Sequence, residues 1–271
     1  MVVRQPAVAG KFYPRTERQV REEIDHLYDS YLGRRPVLNR NGPRNIVGLV
    51  VPHAGYVYSG PVAAHAYAAL AEDGFPEAFI VIGPNHSGVG LPVAMTTEDF
   101  DTPLGRVNID RDLVSRMGRL VADDPMAHRY EHSIEVQLPF IQYIQEDVTF
   151  VPISMAAQDH ETAAEVADEI RAACQGRDVV IIASTDFSHY VPAPVAARQD
   201  RSVIDRILAL DPEGVYDTVI RKNVSMCGYG PVMAMLMASG GKHAELLKYG
   251  NSGDVSPMED VVGYAAIKVV R

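Results

Sequence analysis

Three apolar runs in this 271-residue chain end in the same kind of residue. IVGLVVPH reaches His53, FIVIGPNH reaches His86, and VVIIASTDFSH reaches Asp186 and then His189. In an open α/β sheet the carboxyl ends of parallel strands converge on one crevice, so imidazoles and a carboxylate at three strand tips can meet around one atom. Two further stretches add to the set. EHSIEVQLPF supplies Glu131, His132 and Glu135 at the start of an expected helix, and SMCGYGP supplies Cys227 in a glycine-rich loop ahead of another. Imidazole, thiolate and carboxylate from separate strand ends are the ingredients of a transition-metal site. They are equally those of a nucleophile with its base, Cys227, His189 and Asp186 taking the three roles. Histidines beyond the single base that a triad needs favour the metal. The chain has no HExxH, no phosphate-cradling GxxxxGK[ST] and no GxSxG elbow, so the commonest named alternatives lack their signatures.

Each residue also has a plainer role open to it. A histidine after a strand can simply bond a backbone carbonyl, an aspartate can cap the next turn, and free cysteine is among the most buried residue types. The shared position of His53 and His86 after strands, and the glycines that follow Cys227, argue for function. Cys174, in a helical stretch, reads as a small buried hydrophobe. His26, His65, His128, His160 and His243 have no such context and read as helix or surface residues.

The elements that must position these groups follow from the apolar pattern. Thr16 to Gln19 fits a capping box, and Val20, Ile24, Leu27, Tyr28 and Tyr31 follow at helical spacing, predicting a helix that ends near Gly33. Residues 34–45 are polar and broken by Pro and Gly, as in a surface connection. Strands are expected over 46–51, 78–82, 148–153 and 178–183. Gly60-Pro61 is expected to open an alanine-rich helix to about Leu70, Pro suiting a first turn. Residues 92–110 read as a hairpin excursion turning at Thr102 to Gly105. Helices are expected near 111–121, 133–145, 160–174, 197–209, 213–221 and 231–239, with extended segments at 243–250 and 261–270. Alternation of this kind predicts an α/β fold with a central, largely parallel sheet covered by helices on both faces.

Composition narrows the function classes. With 47% hydrophobic and 22% charged residues the chain has the make-up of a globular protein able to bury a full core. A formal net charge of −10 without clustered Lys and Arg argues against nucleic acid and anionic membrane as partners. The amino terminus lacks the apolar segment of a signal peptide and no run approaches a membrane span, so a cytoplasmic protein with free thiols at Cys174 and Cys227 is expected.

Several longer pieces, in order, carry a resemblance: VAGKFYP at 8–14, PHAGYVYSG at 52–60 followed by AAHAY, GPNHSG at 83–88, EHSIEVQLPF at 131–140, STDFSHY at 184–190 and CGYGP at 227–231. In these the sequence resembles the Memo family, whose bacterial and archaeal members are also described as AmmeMemoRadiSam system protein B. The resemblance implies one Memo-like domain over residues 1–271, similar in fold to class III extradiol dioxygenases, which use non-haem iron(II). It implies His53, His86 and Cys227 as metal ligands, with Asp186 and His189 lining the same pocket and His132 and Glu135 in a motif of undefined role. Iron(II) is the expected metal, with copper or zinc as alternatives, and the expected function is an oxidoreductase acting on an unknown small-molecule substrate. The alternative is a non-catalytic metal-binding or adaptor protein working with AmmeMemo and radical-enzyme partners. Cys227 stands where the dioxygenases have a carboxylate, a softer and oxidisable donor. The human branch resembles a phosphotyrosine-peptide adaptor and carries Arg after its Cys-Gly pair. Tyr229 fills that place here, removing the cation a phosphate reader would use.

Overall fold

The computed structural model describes residues 2–271. Its sheet runs in the order Val3–Arg4, Asp99–Thr102, Gly105–Ile109, Thr149–Met155, Ala78–Pro84, Val179–Ser184, Ile46–Val51, Asp260–Val270 and His189–Pro192. Neighbours from Gly105–Ile109 to Ile46–Val51 are parallel. Asp260–Val270 then runs antiparallel to Ile46–Val51, to His243–Asn251 and to His189–Pro192, which makes the sheet mixed. Every residue of Ile46–Val51, Ala78–Pro84 and Val179–Ser184 is buried, as continuous β-branched and aliphatic runs require when both faces of a sheet are covered. Tyr56–Asp73 packs on the Asp260–Val270 hairpin partners, and Tyr229–Ser239 packs on the three central strands.

Register is what aligns the tips. Val51 lies opposite Ser184, Ile82 opposite Ala183 and Pro84 opposite Met155, so the three central strands end nearly level. His53, His86 and Asp186 each follow two residues beyond such an end. The strand ending at Ser184 lies between the other two, within side-chain reach of both.

The structure departs from the sequence expectations where tertiary contacts replace local signals. The alanine-rich helix begins at Tyr56 and ends at Asp73, with Pro61 inside it. Its start is set by the amino-terminal segment, because Tyr56 N donates to Phe12 O at 2.7 Å, and Pro61 costs only the bond to the carbonyl of Val57, a residue at the surface. The helix near 111–121 is confined to Arg111–Ser115. Beyond it the N–H groups of residues 118–121 all turn to the Glu169 carboxylate at 2.5 to 3.2 Å, and that bonding displaces helical bonding. The segment after Ser133 is a 3₁₀ turn, Glu135–Gln137, leading into the helix Leu138–Ile144. The first helix stops at Asp29, so Tyr31 lies outside it, exposed, its hydroxyl donating to Asp254 O. The hairpin forms as expected, Asp99–Thr102 pairing antiparallel with Gly105–Ile109.

Candidate metal centre

His53 is buried at the back of the strand tips, 2% exposed. Its backbone N donates to Asp186 Oδ1 at 2.8 Å, its Nδ1 lies 2.8 Å from Ser184 Oγ, and its Nε2 lies 3.2 Å from Cys227 Sγ. Burial, then the neighbouring His132 and His86, hold this imidazole well below the usual histidine range, so it is neutral at ordinary pH. His86 stands at the mouth with about a third of its side chain exposed. Its Nδ1 lies 2.9 Å from Glu131 Oε1, and Glu131 also accepts from the backbone N of His86, His132 and Ser133. Burial works against that carboxylate, yet the His86 hydrogen bond and the nearby imidazoles and N–H groups outweigh it and hold the acid well below the usual range. An anion can only accept, so Nδ1 of His86 carries a hydrogen and Nε2 is the ring nitrogen left for another partner.

Cys227 reaches the same space because two loops are stitched together. Cys227 N donates to Asp186 O at 3.2 Å, Gly228 N donates to Thr185 Oγ1 at 2.9 Å, and Asp186 N donates to Cys227 Sγ at 3.2 Å. A Cβ on Gly228 would stand 2.6 Å from Ser184 O, so only glycine lets the loop lie this close to the strand end. Ligand atoms of His53, His86 and Cys227 all lie within 4.8 Å of one another. Burial, and then the Asp186 charge, push the thiol well above its ordinary value, so without a bound cation it stays protonated.

The family model described as Memo-like protein matches residues 4–268. This chain belongs to the Memo family. A MEMO1 family protein of Methanopyrus kandleri is 49% identical over 276 residues, spanning 97% of this chain and 98% of that protein. One from Methanosarcina barkeri is 47% identical over 275 residues, spanning 98% and 100%. The crystal structure of an uncharacterized protein from Escherichia coli K12 is similar in fold, with a TM-score of 0.53 over 82% of this chain and 99% of that one, at 13% identity.

The remaining expected residues of this Memo chain divide by position. The His132 ring stacks on His86 at 4.6 Å and meets His53 edge-on at 5.4 Å, completing a cluster of three imidazoles. Asp186 is buried beneath them, and that burial pushes its carboxyl up to about 6. His189 follows three residues after Asp186, and its Nδ1 lies 2.8 Å from Ser225 O, which leaves Nε2 as its available atom. Glu135 takes no part in the cluster. It is fully buried against Arg4 at 2.7 Å and accepts from Ala7 N, Val8 N and Tyr13 OH, so it anchors the VAGKFYP segment. That segment in turn lays Phe12 against His132 at 4.7 Å. The Cys227, His189, Asp186 triad is not formed as such: the thiol meets His53 in place of His189, and burial makes it less acidic where a nucleophile needs a lowered pKa.

The donor set fits a transition metal, since two imidazoles and a thiol, each imidazole with its far nitrogen engaged, are what iron, copper or zinc sites of borderline softness use. His86, Glu131 and His132 also come together, and Glu131 accepts three of its four hydrogen bonds at Oε1 and one at Oε2, two of them from His86, so that this carboxylate holds the His86 ring and loop in place. Sequence reading missed the partners Ser184 and Gln137 and the place of Glu131 behind His86. The available signal was the apolar run ending in Ser184, whose side chain had to face the tips of its neighbours.

Proposed function

We propose that this protein is a metal-dependent oxidoreductase in which His53, His86 and Cys227 hold one transition metal, iron(II) first, with copper or zinc as alternatives. The observation that carries this is the convergence of two imidazoles and a thiol within 4.8 Å, with His86 backed by the Glu131 carboxylate. A bound iron would supply a place for substrate and oxygen to meet and exchange electrons. The chain's own groups would do the rest. Partly exposed His86 and His132 mark the open side, where a small molecule of unknown identity would enter. Buried Asp186, its carboxyl raised to about 6, can take up a proton in mildly acid conditions, and Nε2 of His189 would deliver or accept one; His132 lies against the ligand rings and would orient what enters.

The thiol at Cys227 favours a second reading, a non-catalytic metal-binding protein that acts with a protein partner, because a thiolate is itself oxidised in an oxygen-using site. Oxygen uptake separates the two. Protein loaded with iron(II) under exclusion of air and then given candidate phenols should consume oxygen only when metal and substrate are both present. Bound metal without uptake for any substrate class would support the second reading.

A further inference from the structure

Behind His53 lies a fully buried hydrogen-bond chain whose two ends are backbone carbonyls, and these ends determine where every proton in it sits. Gln137 Nε2 lies 3.0 Å from Pro52 O and 2.9 Å from Ser184 Oγ. A proline carbonyl only accepts, so the amide nitrogen of Gln137 must face it, and the same nitrogen then donates to Ser184. Tyr67 OH closes the other side by donating to Gln137 Oε1 at 2.6 Å. Ser184 Oγ is 2.6 Å from Ser133 O, again an acceptor, so the single hydroxyl hydrogen of Ser184 is committed there. A hydroxyl has one donor and two acceptor positions. With the hydrogen used on Ser133 and one lone pair taken by Gln137, Ser184 can only accept from His53 Nδ1, 2.8 Å away.

We infer that Gln137 and Ser184, with Tyr67 behind them, are positioning residues that hold His53 as the Nδ1–H tautomer in the folded chain before any metal arrives, presenting the Nε2 lone pair to the space shared with Cys227 Sγ. The opposite tautomer would require Ser184 to donate to His53 and leave the buried Ser133 carbonyl without its partner, a costly exchange for a site where Tyr67, Gln137 and Ser184 are 0 to 1% exposed. Sequence reading has no access to this, because the chain joins residues 52, 67, 133, 137 and 184 through the fold alone. The consequence for metal binding rests on the proposed metal centre; the tautomer itself does not.

The test therefore starts without metal. Two-bond ¹H–¹⁵N correlation spectra of ¹⁵N-labelled, metal-free protein report which ring nitrogen of each histidine carries hydrogen, and the His53→Gln spectrum identifies the signals of His53. The expected result is a protonated Nδ1 and a bare Nε2. A protonated Nε2, or an even mixture, overturns the inference. Ser184→Ala removes the acceptor and should release the ring into a mixture, while Ser184→Thr keeps the hydroxyl and should restore the single form. Ser184→Cys, a weaker acceptor of similar size, should give an intermediate mixture and serves if the alanine variant does not fold. Zinc titration should then show Ser184→Ala binding about 10–100-fold more weakly than wild type. An unchanged tautomer in Ser184→Ala overturns the relay. Wild type that holds the expected tautomer but binds neither zinc nor, under exclusion of air, iron(II) or copper(I) supports the relay and rejects the metal centre.

Discussion

Cys227 is the residue on which the chemistry turns. Its thiol is pushed up by burial and by Asp186, so the metal-free protein holds S–H facing His53 Nε2, and loading a cation must displace that proton. Metal uptake at neutral pH should release about one proton per chain and slow the reaction of the sulfur with a thiol reagent, both read in a buffered indicator assay against the metal-free protein. Cys227→Asp should keep iron and lose preference for copper(I), since a carboxylate is a harder donor. His189→Ala should retain metal by elemental analysis yet lose any turnover, because that imidazole is held by Ser225 outside the ligand group and its proposed part is to move a proton. Metal loss in that variant would make His189 a ligand.

At the scale of elements, strand tips were legible and their backing was not. The three runs ending in His53, His86 and Asp186 could be read as converging because their unbroken apolar character demands burial on both faces, and only a parallel sheet satisfies that economically. What escaped was long-range bonding. Glu135 sits beside His132 in one motif, and a sequence cannot show that its carboxylate turns away to Arg4, Ala7, Val8 and Tyr13 while Glu131 turns toward His86. The early start of the Tyr56–Asp73 helix escaped for the same reason, its first N–H being satisfied by Phe12. Glu135→Gln should therefore destabilise the fold by roughly 3–5 kcal/mol in denaturant melts, as removal of one partner from a buried ion pair does, and raise proteolysis within residues 2–14. Gly228→Ala should displace the Cys227 loop from Ser184 and weaken metal binding with little change in secondary structure by circular dichroism, because its Cβ meets backbone at 2.6 Å.

Across the whole molecule, histidines buried in neutral form set the acid limit. His128, 2% exposed, is lowered from 6.5 to about 4 by burial and then by Arg4. A base whose folded pKa lies below its unfolded one lets the unfolded chain bind the extra proton, so stability falls as pH drops from about 6.5 to about 4 and levels off below. This one group should account for roughly 3 kcal/mol, and His53 and His132, lowered in the same direction, should steepen the loss. His128→Gln should flatten the urea-midpoint profile in that window. The overall α/β class was legible from strand and helix alternation, whereas the antiparallel closure by His243–Asn251 and Asp260–Val270 was not, since two extended segments in sequence do not reveal their direction in a sheet. Among the described residues no helix is long and apolar enough to cross a membrane. The central claim is tested most directly by anomalous scattering from crystals of protein prepared without oxygen and soaked in iron(II). The expected result is a single strong peak within bonding distance of His53 Nε2, the ring of His86 and Cys227 Sγ, lost in both His53→Ala and His86→Ala; no peak there, or an undiminished one in either variant, would contradict the account.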